Sequence, residues 1–306
     1  MPLIKPSRRK FITGVAALAA MRDLSPDPAE AIMLRNGATR ARPVPPPAPA
    51  SVGYNNLTFS ENFDTGAGVD LSDTRAPGFN WYIHNAWPAA PSIGGWDTFP
   101  ATNPATLSFS NSLMTAGQAA ANTFGVCMAT ACADPANANN YIGKVFNNGF
   151  YAECRMAVTQ PTSSPDFPAF WAWSVEYQTQ NGPPSSWVEI DVMEQANTDA
   201  NHTNLKEFNW VSPYTASASL GANQALNGID ISKQNIWGFL NLPASQNAGT
   251  GLFQSYINNV EITAADATYG TSGNFSQIDS QHMFIMLGWG VDTTSIQVDW
   301  VRVWQL

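Results

Sequence analysis

Trp187-Val188-Glu189-Ile190-Asp191-Val192-Met193-Glu194 is the stretch on which the reading of this chain turns. Val188, Ile190 and Val192 alternate with Trp187, Glu189 and Asp191, the period-two pattern of a β-strand with one apolar and one polar face. Glu194 breaks the count. Five positions after Glu189, it falls on the apolar face of a regular strand, where an unpaired charge costs several kcal/mol. One extra residue, accommodated as a β-bulge near Val192 or Met193, returns Glu194 to the side of Glu189 and Asp191.

That spacing has a chemical use. With the bulge, Glu189 and Glu194 stand about four strand steps apart, roughly 13 Å between Cα atoms. Two Glu side chains leaning toward each other bring their carboxyls to roughly 5 Å, the separation at which one attacks an anomeric carbon and the other handles the proton. Asp191 between them shares a proton or a hydrogen bond with a neighbour, because three like charges this close do not all ionise without large pKa shifts. The alternative is a solvated outer face, since acids also alternate on exposed strands. Only 12% of the chain is charged, so three acids within six residues stand above the background.

The string Glu189-Ile190-Asp191-Val192-Met193-Glu194 resembles the signature of glycoside hydrolase family 16, in the bulged form of its laminarinases, agarases and carrageenases. The resemblance extends to Gly149–Met156, to Pro168-Ala169-Phe170-Trp171, to Leu57–Asp64 at the start and to Val298–Trp304 at the end, and so covers most of residues 54–306. It implies Glu189 as nucleophile, Asp191 as its helper and Glu194 as acid/base. It implies a concanavalin-like jelly roll with a concave substrate cleft, in agreement with the many short strands, turn signals and few helices that indicate a β-sandwich. Many members hold a structural calcium between the backbone near the first strand's end and a C-terminal Asp, here Asp299. This chain has Asn62 where the family usually has an acid, and Asp299 otherwise reads as a hydrogen-bonded strand acid. No cofactor is required and no metal site is assigned; calcium is the one ion that the resemblance raises.

The ends of the chain are read separately. Ser7-Arg8-Arg9-Lys10-Phe11-Ile12-Thr13 and the short apolar run after it read as a twin-arginine-type export signal over residues 1–22, with an ordinary signal or a soluble basic tail as alternatives. Residues 23–53 gather prolines and read as a tail or linker. Residues 54–306 read as the catalytic domain. The expected location is periplasmic or extracellular, as a monomer with no membrane anchor after processing. A net charge of -9 argues against nucleic acid as a partner.

Within the domain, Cys127 and Cys132 enclose four residues and are expected to form a disulfide in an exported protein. Cys154 is left as a core thiol, because Phe150, Ala152, Cys154, Met156 and Val158 share one face of their strand. Tyr151, Glu153 and Arg155 take the other face, expected on the cleft side. Trp171 and Trp173 are expected as a floor for a sugar, with core packing as the alternative. Trp96, beside Gly94-Gly95, is a stacking candidate, with capping of the sandwich as the alternative. Asn209 and Trp210 are candidates for sugar hydroxyls and rings. Gly251–Ile262 reads as two strands around an Asn258-Asn259 turn. Ile296–Trp304 reads as an apolar strand with Val298, Trp300, Arg302 and Trp304 alternating. A polysaccharide substrate follows, with a β-1,3- or mixed-linkage glucan favoured. Transglycosylation, a galactan or exopolysaccharide substrate, and a non-catalytic glycan-binding jelly roll are the alternatives.

Overall fold

The structure is a computed structural model that describes residues 53–82, 107–116, 127–159, 168–178, 187–194, 204–210, 217–220, 229–262, 266–270, 278–288 and 295–306. The expected export signal, the Pro-rich segment and Trp96 lie outside the described residues. In chain order, the strands begin with β1 (Asn56–Glu61), β2 (Val69–Asp70), β3 (Trp81–Tyr82), β4 (Leu107–Ser110) and β5 (Leu113–Ala116). There follow β6 (Cys127–Ala129), β7 (Ala131–Asp134), β8 (Asn137–Gly143), β9 (Phe150–Thr159) and β10 (Ala169–Ser174). One helical turn, α1 (Val175–Gln178), precedes β11 (Trp187–Glu194), β12 (Asn204–Trp210), β13 (Ser217–Leu220) and β14 (Asn235–Leu242). The last are β15 (Thr250–Ile257), β16 (Val260–Glu261), β17 (Ala267–Gly270), β18 (Met283–Gly288) and β19 (Ser295–Gln305).

These strands form two large sheets. The first runs β16-β15-β14-β9-β19-β5-β4, with β1 on β19 and β17 on β15; the second runs β13-β12-β11-β10-β18-β6-β3-β2. All pairings are antiparallel except β2 with β3. A separate hairpin joins β7 and β8. Period-two alternation supplies the glue. Ala152, Cys154, Met156 and Val158 of β9, Trp237 and Phe239 of β14, and Val301 and Val303 of β19 point inward from the first sheet. They meet Phe170 and Ala172 of β10, Val188 and Ile190 of β11, and Met283, Ile285 and Leu287 of β18 from the second. This is the β-sandwich jelly roll that the sequence indicates, with one continuous apolar layer between the sheets.

Turn chemistry closes the strands as expected. Asn258 and Asn259 both take positive φ, 51° and 67°, the backbone that a two-residue hairpin between β15 and β16 needs. Gly149 enters β9 at φ 83°, where a Cβ would stand 2.2 Å from the Tyr54 hydroxyl, so only glycine fits. Glu61 ends β1 by accepting from the backbone N–H groups of Asn62 and Phe63 and from the Asn80 amide, each at 2.9 Å.

Three expectations are corrected here. Arg155 faces away from the core, as the alternation requires, but β9 belongs to the first sheet, so that face is the outer side opposite the one that carries the acids. Alternation assigns sides of a strand and says nothing about which sheet the strand joins. Cys132 is a free, buried thiol, not a disulfide partner of Cys127. β6 pairs with β18 in the second sheet, whereas β7 pairs with β8 in a separate hairpin, so the two positions belong to different pairings. On β19 the register shifts between Val298 and Trp300, which sends Val298 into the core and Trp300, Arg302 and Trp304 to the other side. Val298 therefore does not share their face.

Candidate active site

The site is built on the centre of the second sheet. β11 is held on one side by β10, with Trp173 opposite Glu189, Trp171 opposite Asp191 and Ala169 opposite Glu194. The register shifts between Phe170 and Trp171: Phe170 pairs with Met193 and Trp171 with Asp191, so Val192 is the extra residue. On the other side the register shifts again between Asp191 and Glu194. Val192 and Met193 are consecutive, yet both are buried in the layer between the sheets. Two successive side chains on one face are what a bulge produces. Positions 189, 191 and 194 therefore oppose 173, 171 and 169, every second position of β10, so the bulge restores position 194 to the register of positions 189 and 191.

That face is the one turned away from the core. Trp171 and Trp173 pack there with Phe284 and Met286 of β18, Ala129 of β6, Tyr82 of β3 and Val175 of α1. The two indoles lie 5.3 Å apart at 36°, and Phe284 is 6.5 Å from Trp173. With 4% and 7% exposure, the indoles present little surface to a solute. They form the packed base beside the carboxylates, which is the core-packing alternative that the sequence left open. Phe284 and Met286 belong to this base and were hidden in sequence by the uniformly apolar run Met283–Leu287. Asp191 is itself 6% exposed, whereas Glu189 is half-buried, so Asp191 is the more shielded of these two. The backbone N–H of Val188 donates to Ser174 Oγ at 3.0 Å and pins the start of the strand.

On β12, Trp210 pairs with Trp187, Asn209 with Val188, Phe208 with Glu189 and Lys206 with Asp191. Phe208 and Lys206 were not singled out from sequence, because only the pairing register brings them beside β11.

Another charged cluster lies on the outer face of the first sheet. Arg155 Nη1 donates to Asp299 Oδ2 at 2.8 Å, and Arg302 Nη2 donates to Asn62 Oδ1 at 3.0 Å. The Arg302 guanidinium lies 4.2 Å over the Trp300 ring. These contacts test the calcium expectation. Asp299 and Asn62, the positions that the resemblance raises, each accept from a guanidinium group, and a divalent cation would meet two fixed positive charges there. The residues do not fit calcium. Among the described residues no group of three or more His, Cys, Asp or Glu is placed to hold a metal. Beside them, burial pushes the Glu153 carboxyl up to about 7, although the Tyr151 hydroxyl donates to it at 2.7 Å and Arg302 favours its ionised form. Burial likewise pushes the Cys132 thiol up to about 12 and raises Cys154 well above the ordinary range, so both are inert.

No family model matches the chain, and no curated protein matches it. Solved structures do. An endo-1,3-β-glucanase from Streptomyces sioyaensis superposes with a TM-score of 0.54 over 86% of this chain and 98% of its own, at 15% identity. A non-specific endo-β-1,3(4)-glucanase of family GH16 gives 0.55 over 82% and 95%, at 14% identity. A structure described with endo-acting O-glycanases of the human gut microbiota gives 0.54 over 82% and 100%, at 16% identity. At these identities the likeness concerns the path of the chain, and in that sense this protein has the jelly-roll fold of endo-acting glycosidases, a family GH16 glucanase among them.

Proposed function

We propose that the protein is an exported, retaining endo-glycosidase that cleaves internal bonds of a β-linked polysaccharide. The observation that carries this reading is the bulge at Val192–Met193, which returns Glu194 to the face of Glu189 and Asp191 at four partner-strand steps. The shared fold with endo-β-glucanases supports it. Glu189 attacks the anomeric carbon, and the glycosidic C–O bond breaks while its oxygen takes a proton from Glu194. Water then attacks the glycosyl–Glu189 ester, gives a proton to Glu194 and releases the Glu189 carboxylate, so one water is consumed per bond cleaved. Asp191 orients and tunes Glu189. No cofactor enters these steps. A β-1,3- or mixed-linkage glucan is the favoured substrate, on the bulged motif and the glucanase fold. The Ser7-Arg8-Arg9-Lys10-Phe11 segment and the apolar run after it support export.

The test is reducing-end release over a panel of β-1,3-glucan, mixed-linkage glucan, galactans and bacterial exopolysaccharides, with Glu189→Gln beside the wild type. One polymer class is cleaved, the first product keeps its anomeric configuration by NMR, and Glu189→Gln loses at least about 10⁴-fold in rate. An inverted first product, or cleavage that persists in Glu189→Gln, rules the mechanism out. Binding of one polymer without cleavage moves the reading to a glycan-binding jelly roll.

A further inference from the structure

A pocket of about 390 Å³ opens at the side of the sandwich. Thr58 of β1 and Gln305 of β19, both in the first sheet, form one wall; Tyr141 of β8 and residues 143–146 form the other. Phe146 makes an antiparallel bridge with Met283 of β18 and packs edge-on against Phe59 of β1 at 5.9 Å, which ties the floor to both sheets. β18 and β10 stand between this segment and β11, so three strand spacings, about 14 Å, separate it from the strand of the acids.

The walls are held by the backbone. The Lys144 N–H donates to Thr130 O at 2.7 Å, and Thr130 Oγ1 donates to Lys144 O at 2.8 Å. Gly143 takes φ 98°, and a Cβ there would stand 2.4 Å from Thr130 O, so only glycine allows this approach. Gln305 Nε2 donates to Asn147 O at 2.8 Å, and the Thr58 hydroxyl donates to Val303 O at 3.3 Å. On these fixed walls two side chains stay open to solvent: Tyr141, 39% exposed, and Lys144. Among the described residues, neither the Tyr141 hydroxyl nor the Lys144 ammonium has a partner. Leu57 and Leu306 are the chain neighbours of Thr58 and Gln305. With Tyr141 they make three of the four exposed large hydrophobics among the described residues, so exposed apolar surface gathers at this edge.

We infer that this pocket is a second glycan-binding site, apart from the acids, for a short stretch of a neutral, hydroxyl-rich chain. The Tyr141 ring offers a platform for the apolar face of a sugar. Its hydroxyls need donors and acceptors together: the Lys144 ammonium donates, while the Thr58 oxygen and the Gln305 amide oxygen accept. One cation in a chain of net charge -9 does not suit a polyphosphate backbone. Walls fixed in advance lower the ordering cost of binding. A polymer held here keeps its further length at a raised local concentration for the acids. That last step rests on the proposed function; the binding of sugar does not.

Tyr141→Ala, Tyr141→Phe and Lys144→Met in the full chain test this. Binding isotherms use insoluble β-1,3-glucan and the other polymers of the panel, in the Glu189→Gln background so that the probe is not consumed. Tyr141→Ala is expected to weaken binding of one polymer at least about tenfold and Lys144→Met about threefold, with Tyr141→Phe within about twofold of the parent. In the otherwise wild-type chain, Tyr141→Ala leaves Tm and the kcat/KM on a short soluble oligosaccharide of that polymer within about twofold and a few degrees of the wild type. Polymer binding unchanged in Tyr141→Ala, or a parent that binds none of the polymers, overturns the inference. An equal loss on polymer and short oligosaccharide makes the pocket part of the cleft of the acids and overturns it too. Weakened binding in Tyr141→Ala of a protein that cleaves no polymer overturns the proposed function and leaves the second site standing.

Discussion

On the outer face of the first sheet, Glu153 and Asp299 stand among Arg155 and Arg302, and on the outer face of the second, Glu189 and Asp191 stand beside Trp173 and Trp171. Both faces set charged residues between large aromatics on a central strand. In the first, every anion has a neutral or positive neighbour: Arg155 for Asp299, and the Tyr151 hydroxyl and the nearby Arg302 for Glu153. In the second, positions 189, 191 and 194 gather three acids on one short bulged segment, opposite Trp173, Trp171 and Ala169. Charge paired within a face is structural, and acids gathered on one segment are what a proton-transferring site keeps. The period-two pattern is the same on both strands, so the balance across neighbouring strands, not the pattern along one, tells scaffold from site.

The contrast predicts opposite phenotypes for one substitution on each face. Glu189→Gln removes at least about 10⁴-fold of the rate, the loss of a covalent nucleophile, and leaves Tm within a few degrees of the wild type. Parallel rate and thermal-unfolding measurements check this, and a large fall in Tm with the rate retained would assign β11 to the scaffold instead.

The next effect is on the first sheet and concerns pH. Glu153 is 1% exposed, and burial holds its carboxyl at about 7 against an ordinary value of 4.5. The folded protein thus binds this proton more tightly than the unfolded chain does. Its stabilising contribution is complete below about 4.5 and is lost as pH rises toward 7, where it levels off. That difference corresponds to on the order of 3 kcal/mol. Glu153→Gln removes this slope, so its Tm gains on the wild type between pH 5 and pH 8 while kcat is unchanged. Asp266, raised to about 6 by burial, adds a slope of the same sign to both proteins and cancels in the comparison.

Arg155→Met comes third. It leaves Asp299, whose side chain is 15% exposed, without its guanidinium partner, and costs about 2 kcal/mol in denaturant unfolding. kcat/KM on the cleaved glucan stays within about twofold, because the residue lies across the sandwich from the acids. A selective loss of kcat/KM would return Arg155 to the substrate side. The smallest effect is that of a reductant. Since Cys132 is a free thiol, dithiothreitol leaves Tm unchanged within about 1 °C, and native Cys132 and Cys154 react with a thiol reagent only after unfolding.

Short-range grammar was legible in the chain because it depends on neighbours in sequence. The alternation of β9, the Asn258-Asn259 hairpin and the bulge at Val192–Met193 all follow from side-chain parity, turn stereochemistry and the cost of burying Glu194 in an apolar layer. The three acids were legible for the same reason. What was not legible depends on which strands become neighbours. Arg155 went to the opposite sheet because β9 pairs with β14 and β19, and Cys132 escaped Cys127 because β7 leaves β6 for β8. Parity along a strand is a local consequence of backbone geometry, whereas sheet membership and register come from hydrogen bonds and packing between segments far apart in the chain, and those are settled only when the whole sandwich closes.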